Sequence, residues 1–124
     1  MTDLLMWLYL GNAVLLINHE IDSAYWQEWK LFKLPGRITG FLLLHFPLLF
    51  AVLYGLVLVA RHQFAGYIMS LILCGGGIFA FSIHTYFLKK GHGEFDRPIS
   101  KLILVLTLLL SIVQLVVTII EMGG

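Results

Sequence analysis

A chain of 124 residues with 60% hydrophobic residues, only 12% charged ones and a net charge of +1 is more apolar than a soluble domain of that length can be. Its mean hydropathy of +0.93 places it in a membrane, with the lipid bilayer as its first partner, and so few basic residues argue against a nucleic-acid partner. The lone Cys74 excludes an internal disulfide and reads as a small packing residue.

Four apolar spans follow in order, at 4–21, 38–60, 66–88 and 102–120, each close to the roughly 20 residues a membrane-crossing helix needs. The expected fold is all-α, an integral membrane four-helix bundle forming a single domain over 1–124. No basic start or small-residue cleavage site precedes the first span, so it reads as a retained helix and not as a signal peptide. Its end, Asn18-His19-Glu20-Ile21-Asp22-Ser23-Ala24, carries an imidazole and two carboxylates on an otherwise apolar run. Ionisable groups at that depth persist only when paired, ligated or facing a wet cavity, which makes them a candidate functional site. Asn12, His19 and Asp22, spaced by seven and three, share one helical stripe that Trp26 continues, whereas Glu20 points about 100° away.

From Tyr25 to Leu34 the sequence YWQEWKLFKL sets Tyr25, Trp29 and Phe32 on one face and reads as a short interfacial amphipathic helix, its tryptophans anchored at headgroup level. Leu34-Pro35-Gly36 then breaks it. The second span carries His45 and, two residues on, Pro47, which frees the carbonyl of Leu43 and predicts a kink there. Only 61–65 remain to connect it to the third span, so those helices are antiparallel neighbours. In the third span Gly66, Ser70 and Cys74 form a small-residue ridge, and Ser70, Gly77 and His84 recur every seven, the pattern of a helix contact in lipid. The unusual run Cys74-Gly75-Gly76-Gly77 would let a flat ring approach the backbone. The last loop, KKGHGEFDRPIS, carries His92, Glu94 and Asp96 at alternate positions, either a solvated loop or a lid that supplies a further ligand. The fourth span has the longest polar stripe, Ser100, Thr107, Gln114 and Glu121 at sevens with Ser111 and Thr118 between them, and cost alone turns it inward.

Counted along the spans at about 1.5 Å per residue, His19, His45 and His84 all fall within about 5 to 10 Å of the same membrane boundary. Three explanations of such a layer stand. In the first, His19, His45 and His84, with Asp22 or Glu20 as a further ligand or base, hold a transition-metal ion, zinc or iron foremost, since imidazole and carboxylate suit those ions and a cation offsets the cost of a buried carboxylate. An enzyme of this kind would activate water or dioxygen against a lipid-soluble substrate. In the second, the histidines ligate haem, a chlorin or a quinone, in an accessory subunit of a larger bioenergetic membrane complex or in a homo-oligomer. In the third they are a hydrogen-bonded cluster that sets helix register. Other chemistries are excluded more firmly: position 23 is Ser23, so the second histidine of a zinc-protease motif is missing, no serine nucleophile elbow or phosphate-binding glycine loop is present, and no inverted repeat suggests a secondary transporter.

The segment 18–49, with its opening His-Glu-Ile-Asp-Ser-Ala-Tyr-Trp, resembles an uncharacterised family of small bacterial four-span membrane proteins that carry His-Glu-Ile-Asp-x-Ala-Tyr-Trp. It is distantly similar to membrane proteins named for a His-x-x-Glu-Glu motif, from which it departs: Ile21 and Asp22 intervene, Ser23 follows, and the second glutamate is missing. The resemblance implies a bacterial inner-membrane protein and carries over no catalytic residue.

Orientation follows from charge. Lys30, Lys33, Arg37, Lys89, Lys90, Arg97 and Lys101 lie in two loops on one side and Arg61 alone on the other, so the two long loops should be cytoplasmic and both termini extracytoplasmic. A topology reporter fused after Gly124 should read out as extracytoplasmic and one inserted at Gly91 as cytoplasmic; the reverse pattern would also place the histidine layer at the opposite membrane face.

Overall fold

The computed structural model describes residues 2–91 and 96–124. Over these it is helical, with α1 at Asp3–Tyr25, α2 at Glu28–Leu31, α3 at Arg37–Ala60, α4 at Phe64–Lys89 and α5 at Pro98–Gly123. The four long helices are each long and apolar enough to cross a membrane. They run up and down as a square: α1 and α4 each pack against both α3 and α5 and meet across the middle, whereas α3 and α5 do not touch among the described residues. Both termini and the α3–α4 turn therefore lie at one end, where Thr2 hydrogen-bonds Glu121 through its backbone N–H (3.0 Å) and its hydroxyl. Seven of the eight basic residues, at 30–37 and 89–101, lie at the other end, called here the basic end, in the connections and the helix ends that flank them.

Local sequence explains the boundaries. Pro98 opens α5 at a position where a missing N–H costs nothing. Gly36, at φ 90°, turns the chain into α3 in a conformation that side chains other than glycine rarely adopt. The interfacial segment is shorter than its periodicity predicts. Gln27 (φ 56°) and Lys33 (φ 55°) both adopt the left-handed conformation, so only one turn, α2, separates two bends. As a result Tyr25 stays 69% exposed while Trp29 is buried, its ring 5.7 Å from that of Phe41. A face deduced for an unbroken helix does not survive two reversals of φ.

The interior is as much polar as apolar. Leu5, Tyr9 and Ala13 of α1 meet Val52 and Val59 of α3 and Leu73 of α4 in one cluster, with the Tyr9 hydroxyl donating to the Val52 carbonyl at 2.7 Å. Next to it runs a ladder of side chains. Asn12 donates to Ser111 Oγ (3.1 Å) and Gln114 Oε1 (3.0 Å), Gln114 donates to Ser70 Oγ (2.8 Å), and Ser70 and Thr118 share a hydrogen bond of 2.7 Å. In hydrocarbon such groups have no water to turn to, so the helices that carry them must meet; each contact contributes about 0.6 to 2 kcal/mol. The expected α5 stripe is thus inside, with Ser100, Thr107, Ser111, Gln114 and Thr118 all buried. Leu43, Phe46 and Phe50 of α3 point outward, the last two more than 70% exposed, as a lipid-facing surface requires.

Close approach of α4 to α5 depends on Gly77, where a Cβ would collide with the Ser111 hydroxyl and stand 3.0 Å from Thr107 Cγ2. Two residues earlier, a Cβ on Gly75 would meet nothing within 4 Å. Gly77→Ala should therefore destabilise the folded bundle by about 1 to 3 kcal/mol, partly by disturbing the Asn12–Ser111 bond, and Gly75→Ala should change stability by less than about 0.5 kcal/mol; denaturant unfolding in detergent micelles measures both.

Candidate functional site

At the basic end three helices converge on one point. His19 lies near the end of α1, His84 near the end of α4, and Glu28 is the first residue of α2. His84 Nε2 is 3.0 Å from His19 Nε2, the rings meeting edge to face with centroids 4.7 Å apart, and Glu28 Oε1 is 3.5 Å from His84 Nε2. One atom from each residue can be chosen so that all three lie within 4.8 Å of one another. Both histidines are almost wholly buried, at 4% and 1% exposure. Phe32, just past α2, closes the cluster from outside, its ring 6.2 Å from that of His84 and 5.5 Å from that of Phe87. The bend at Gln27 is what allows this, because it folds α2 back against α1 and α3, from where the Glu28 side chain reaches His84.

A second pair lies beside the first. His45 of α3 contacts the Glu20 carboxylate through Nε2, places Nδ1 2.6 Å from the Phe41 carbonyl and stacks on the Phe41 ring at 3.9 Å. A carbonyl can only accept, so Nδ1 carries a proton and Nε2 faces the carboxylate. The pair is then either imidazolium with carboxylate or imidazole with carboxylic acid, and is neutral overall in both. That neutrality is what makes its burial tolerable.

Of the five residues expected to form a site, His19 and His84 meet directly, and Glu20 and His45 form the neighbouring pair. Glu20 reaches α3 although it leaves the His19 stripe. Asp22 is half-buried and lies outside the group of three, close enough for its charge to act on Glu28. Of the loop residues, His92 and Glu94 lie outside the described residues, and Asp96 is exposed, paired with Lys101 at 2.7 Å. Glu28 is the residue that spacing does not reveal: in an interfacial helix a glutamate is ordinary, and only its position as the sole acid in the aromatic stretch 25–34 marks it.

Burial pushes the Glu28 carboxyl up to about 7, helped by the negative charges of Glu20 and Asp22 and opposed by the Ser23 hydroxyl and by His45. Fold and site together define a small multi-pass helical membrane protein with two imidazoles and a carboxylate gathered at its basic end. The chain belongs to a family of unknown function, DUF6713, whose profile it matches over residues 5–121. No curated protein and no solved structure matches it.

The raised carboxyl has a measurable consequence in metal-free protein. Between the ordinary glutamate value and about 7 the folded state holds the Glu28 proton and the unfolded state has lost it, so this residue makes stability fall as pH rises through that window. Glu28→Gln should remove that part of the slope, leaving wild type and variant to diverge as pH is raised from about 4.5 to 7 in chelator-treated protein; parallel curves would show that Glu28 ionises freely.

Proposed function

We propose that the protein binds a transition-metal ion, zinc or iron, through His19 Nε2, His84 Nε2 and a Glu28 carboxylate oxygen. The observation that carries this reading is the facing of two Nε2 atoms at 3.0 Å with a carboxylate oxygen 3.5 Å from one of them. With metal–nitrogen bonds of about 2.0 to 2.1 Å, two ligands on a tetrahedron stand about 3.3 Å apart, between the two separations found here. Two imidazoles and one carboxylate are also the donor set of zinc hydrolase sites and of non-haem iron sites, both of which leave coordination positions open for water or substrate. An ion there would offset the cost of a buried Glu28 carboxylate.

A ring held axially between two imidazoles needs the nitrogens about 4 Å apart, at about 2 Å per bond. The 3.0 Å contact thus favours an ion over haem or a chlorin. Asp22, whose charge acts on both His19 and Glu28 and which is not engaged with His45 as Glu20 is, would serve as an orienting group or as the base for a bound water. Glu20 and His45 would not ligate; their neutral pair would hold α1 against α3 beside the centre. A centre of this kind, buried among apolar helices and covered by Phe32, suits chemistry on a lipid-soluble substrate. By charge and by resemblance the setting is a bacterial inner membrane with the centre near its cytoplasmic face.

Elemental analysis of the protein purified in detergent tests this. Zinc or iron should be present at one equivalent per chain. His19→Ala, His84→Ala and Glu28→Ala should each lose it while remaining folded and extractable, and His45→Ala should retain it. Unchanged metal content in the first three, or its absence from wild type supplied with both ions, would leave a His19–His84 hydrogen bond that sets helix register.

A further inference from the structure

Seven basic residues lie at the basic end, and they differ in what occupies them. Lys101 is paired with Asp96, the Arg97 guanidinium lies 5.3 Å over Trp26, and Lys90 lies over Tyr86. The other four, Lys30, Lys33, Arg37 and Lys89, are exposed and have neither a carboxylate nor an aromatic partner among the described residues. Of these, Lys30 and Arg37 line one cavity of about 300 Å³ together with Gln27, Trp29 and Ile38. Trp29 is also a wall of a second cavity, of about 280 Å³, formed by Leu34, Pro35, Gly40, Phe41 and Leu44. Cationic and apolar spaces thus adjoin across one indole.

The direction of this double cavity matches that of a lipid. Arg37 starts α3 at the membrane boundary, and Leu44 lies seven residues further in, about 10 Å deeper. No side chain caps the first turn of α3, so its unpaired N–H groups add positive potential beside Arg37 and Lys30. The apolar part offers carbon and a tight backbone: a Cβ on Gly40 would collide with the Pro35 carbonyl, so no side chain can fill the groove from that position. Trp29 is 7% exposed, and its indole N–H has no hydrogen-bond partner among the described residues.

We propose that the groove between α2 and α3 binds one anionic phospholipid, its phosphate between Lys30 and Arg37 and an acyl chain along Pro35, Phe41 and Leu44. A two-part ligand is needed because neither part suffices: two exposed cations would bind any surface anion weakly, and an apolar groove facing lipid shows no headgroup preference. The site does not depend on a metal at His19, His84 and Glu28. It does border that centre, since Glu28 and Trp29 are adjacent on one turn and Phe41 stacks on His45, so a bound lipid would buttress α2 where it supplies Glu28.

Tryptophan quenching by brominated lipid tests the proposal. A variant with Trp7→Phe and Trp26→Phe, leaving Trp29, is reconstituted in phosphatidylcholine vesicles that contain a minor fraction of either brominated phosphatidylglycerol or brominated phosphatidylcholine. At equal mole fraction the anionic lipid should quench Trp29 at the lower concentration. Lys30→Gln and Arg37→Gln should each reduce that preference roughly fivefold, the equivalent of about 1 kcal/mol per basic residue at a membrane surface. Lys33→Gln, next to the cavity but outside it, should leave the preference intact. Equal quenching by the two lipids in the otherwise unaltered protein would overturn the proposal whether or not the charge variants fold. An equal loss in Lys33→Gln would also overturn it, in favour of diffuse surface attraction. Inorganic phosphate added to the vesicles should displace nothing; displacement would mean a free-phosphate site without lipid specificity and would refute the lipid assignment.

Discussion

The structure depends on one constraint: inside hydrocarbon a polar group must find its partner within the protein. The Asn12 amide N–H groups, Ser70, Ser111, Gln114 and Thr118 meet it by bonding to one another across α1, α4 and α5. This fixes which faces of those helices meet, because any rotation of α5 that exposed Gln114 would leave amide groups facing lipid. Apolar contact could not select the register so sharply, since leucine is as well solvated by acyl chains as by another leucine. Glycines at the contacts then let the helices come close enough for short side chains such as serine to reach across.

At the basic end the same rule meets ionisable groups, and two different solutions lie side by side. Glu20 and His45 cancel as a pair, with the second imidazole nitrogen tied to the Phe41 carbonyl. At His19, His84 and Glu28 the described residues make a different arrangement: two imidazoles meet each other, and the carboxyl near them is held towards its neutral form by burial. A proton on Glu28 or a cation between the three would each make the arrangement electrically tolerable. If the proposed ion binds, proton and metal would compete for Glu28. The site is covered by an aromatic lid, Phe32, braced by Phe87, and excluding water strengthens whichever interaction is made.

The short α2 turn joins the centre to the membrane surface. Its four residues supply Glu28 to the histidines and present Trp29 and Lys30 to the cavities outside. Because the turn is held between two left-handed residues and packs on α3 through Trp29 and Phe41, the proposed lipid on its outer side and the proposed ion on its inner side would act on the same few backbone torsions. Coupling between lipid and metal would need no long path through the bundle.

Much of this was legible in the residues alone. Composition and span length are enough for four membrane-crossing helices, since about 20 apolar residues admit no other regular structure in a bilayer. Sevenfold spacing shows which faces are inward: the α5 polar stripe, the Ser70–Gly77–His84 line and the inward turn of His19 and His84 all follow from a straight helix whose polar side cannot face lipid. What spacing along one helix cannot convey is how separate helices are rotated against each other and where the chain reverses between them. Thus Glu20, a quarter-turn or so from the His19 stripe, finds His45 because α3 lies on that side, and Glu28 enters the site because left-handed backbone at Gln27 turns α2 back over the bundle. A single residue's φ is decided by what the fold gains on either side of it, and here that gain, Trp29 against Phe41 and Glu28 against His84, exists only once the tertiary structure has formed.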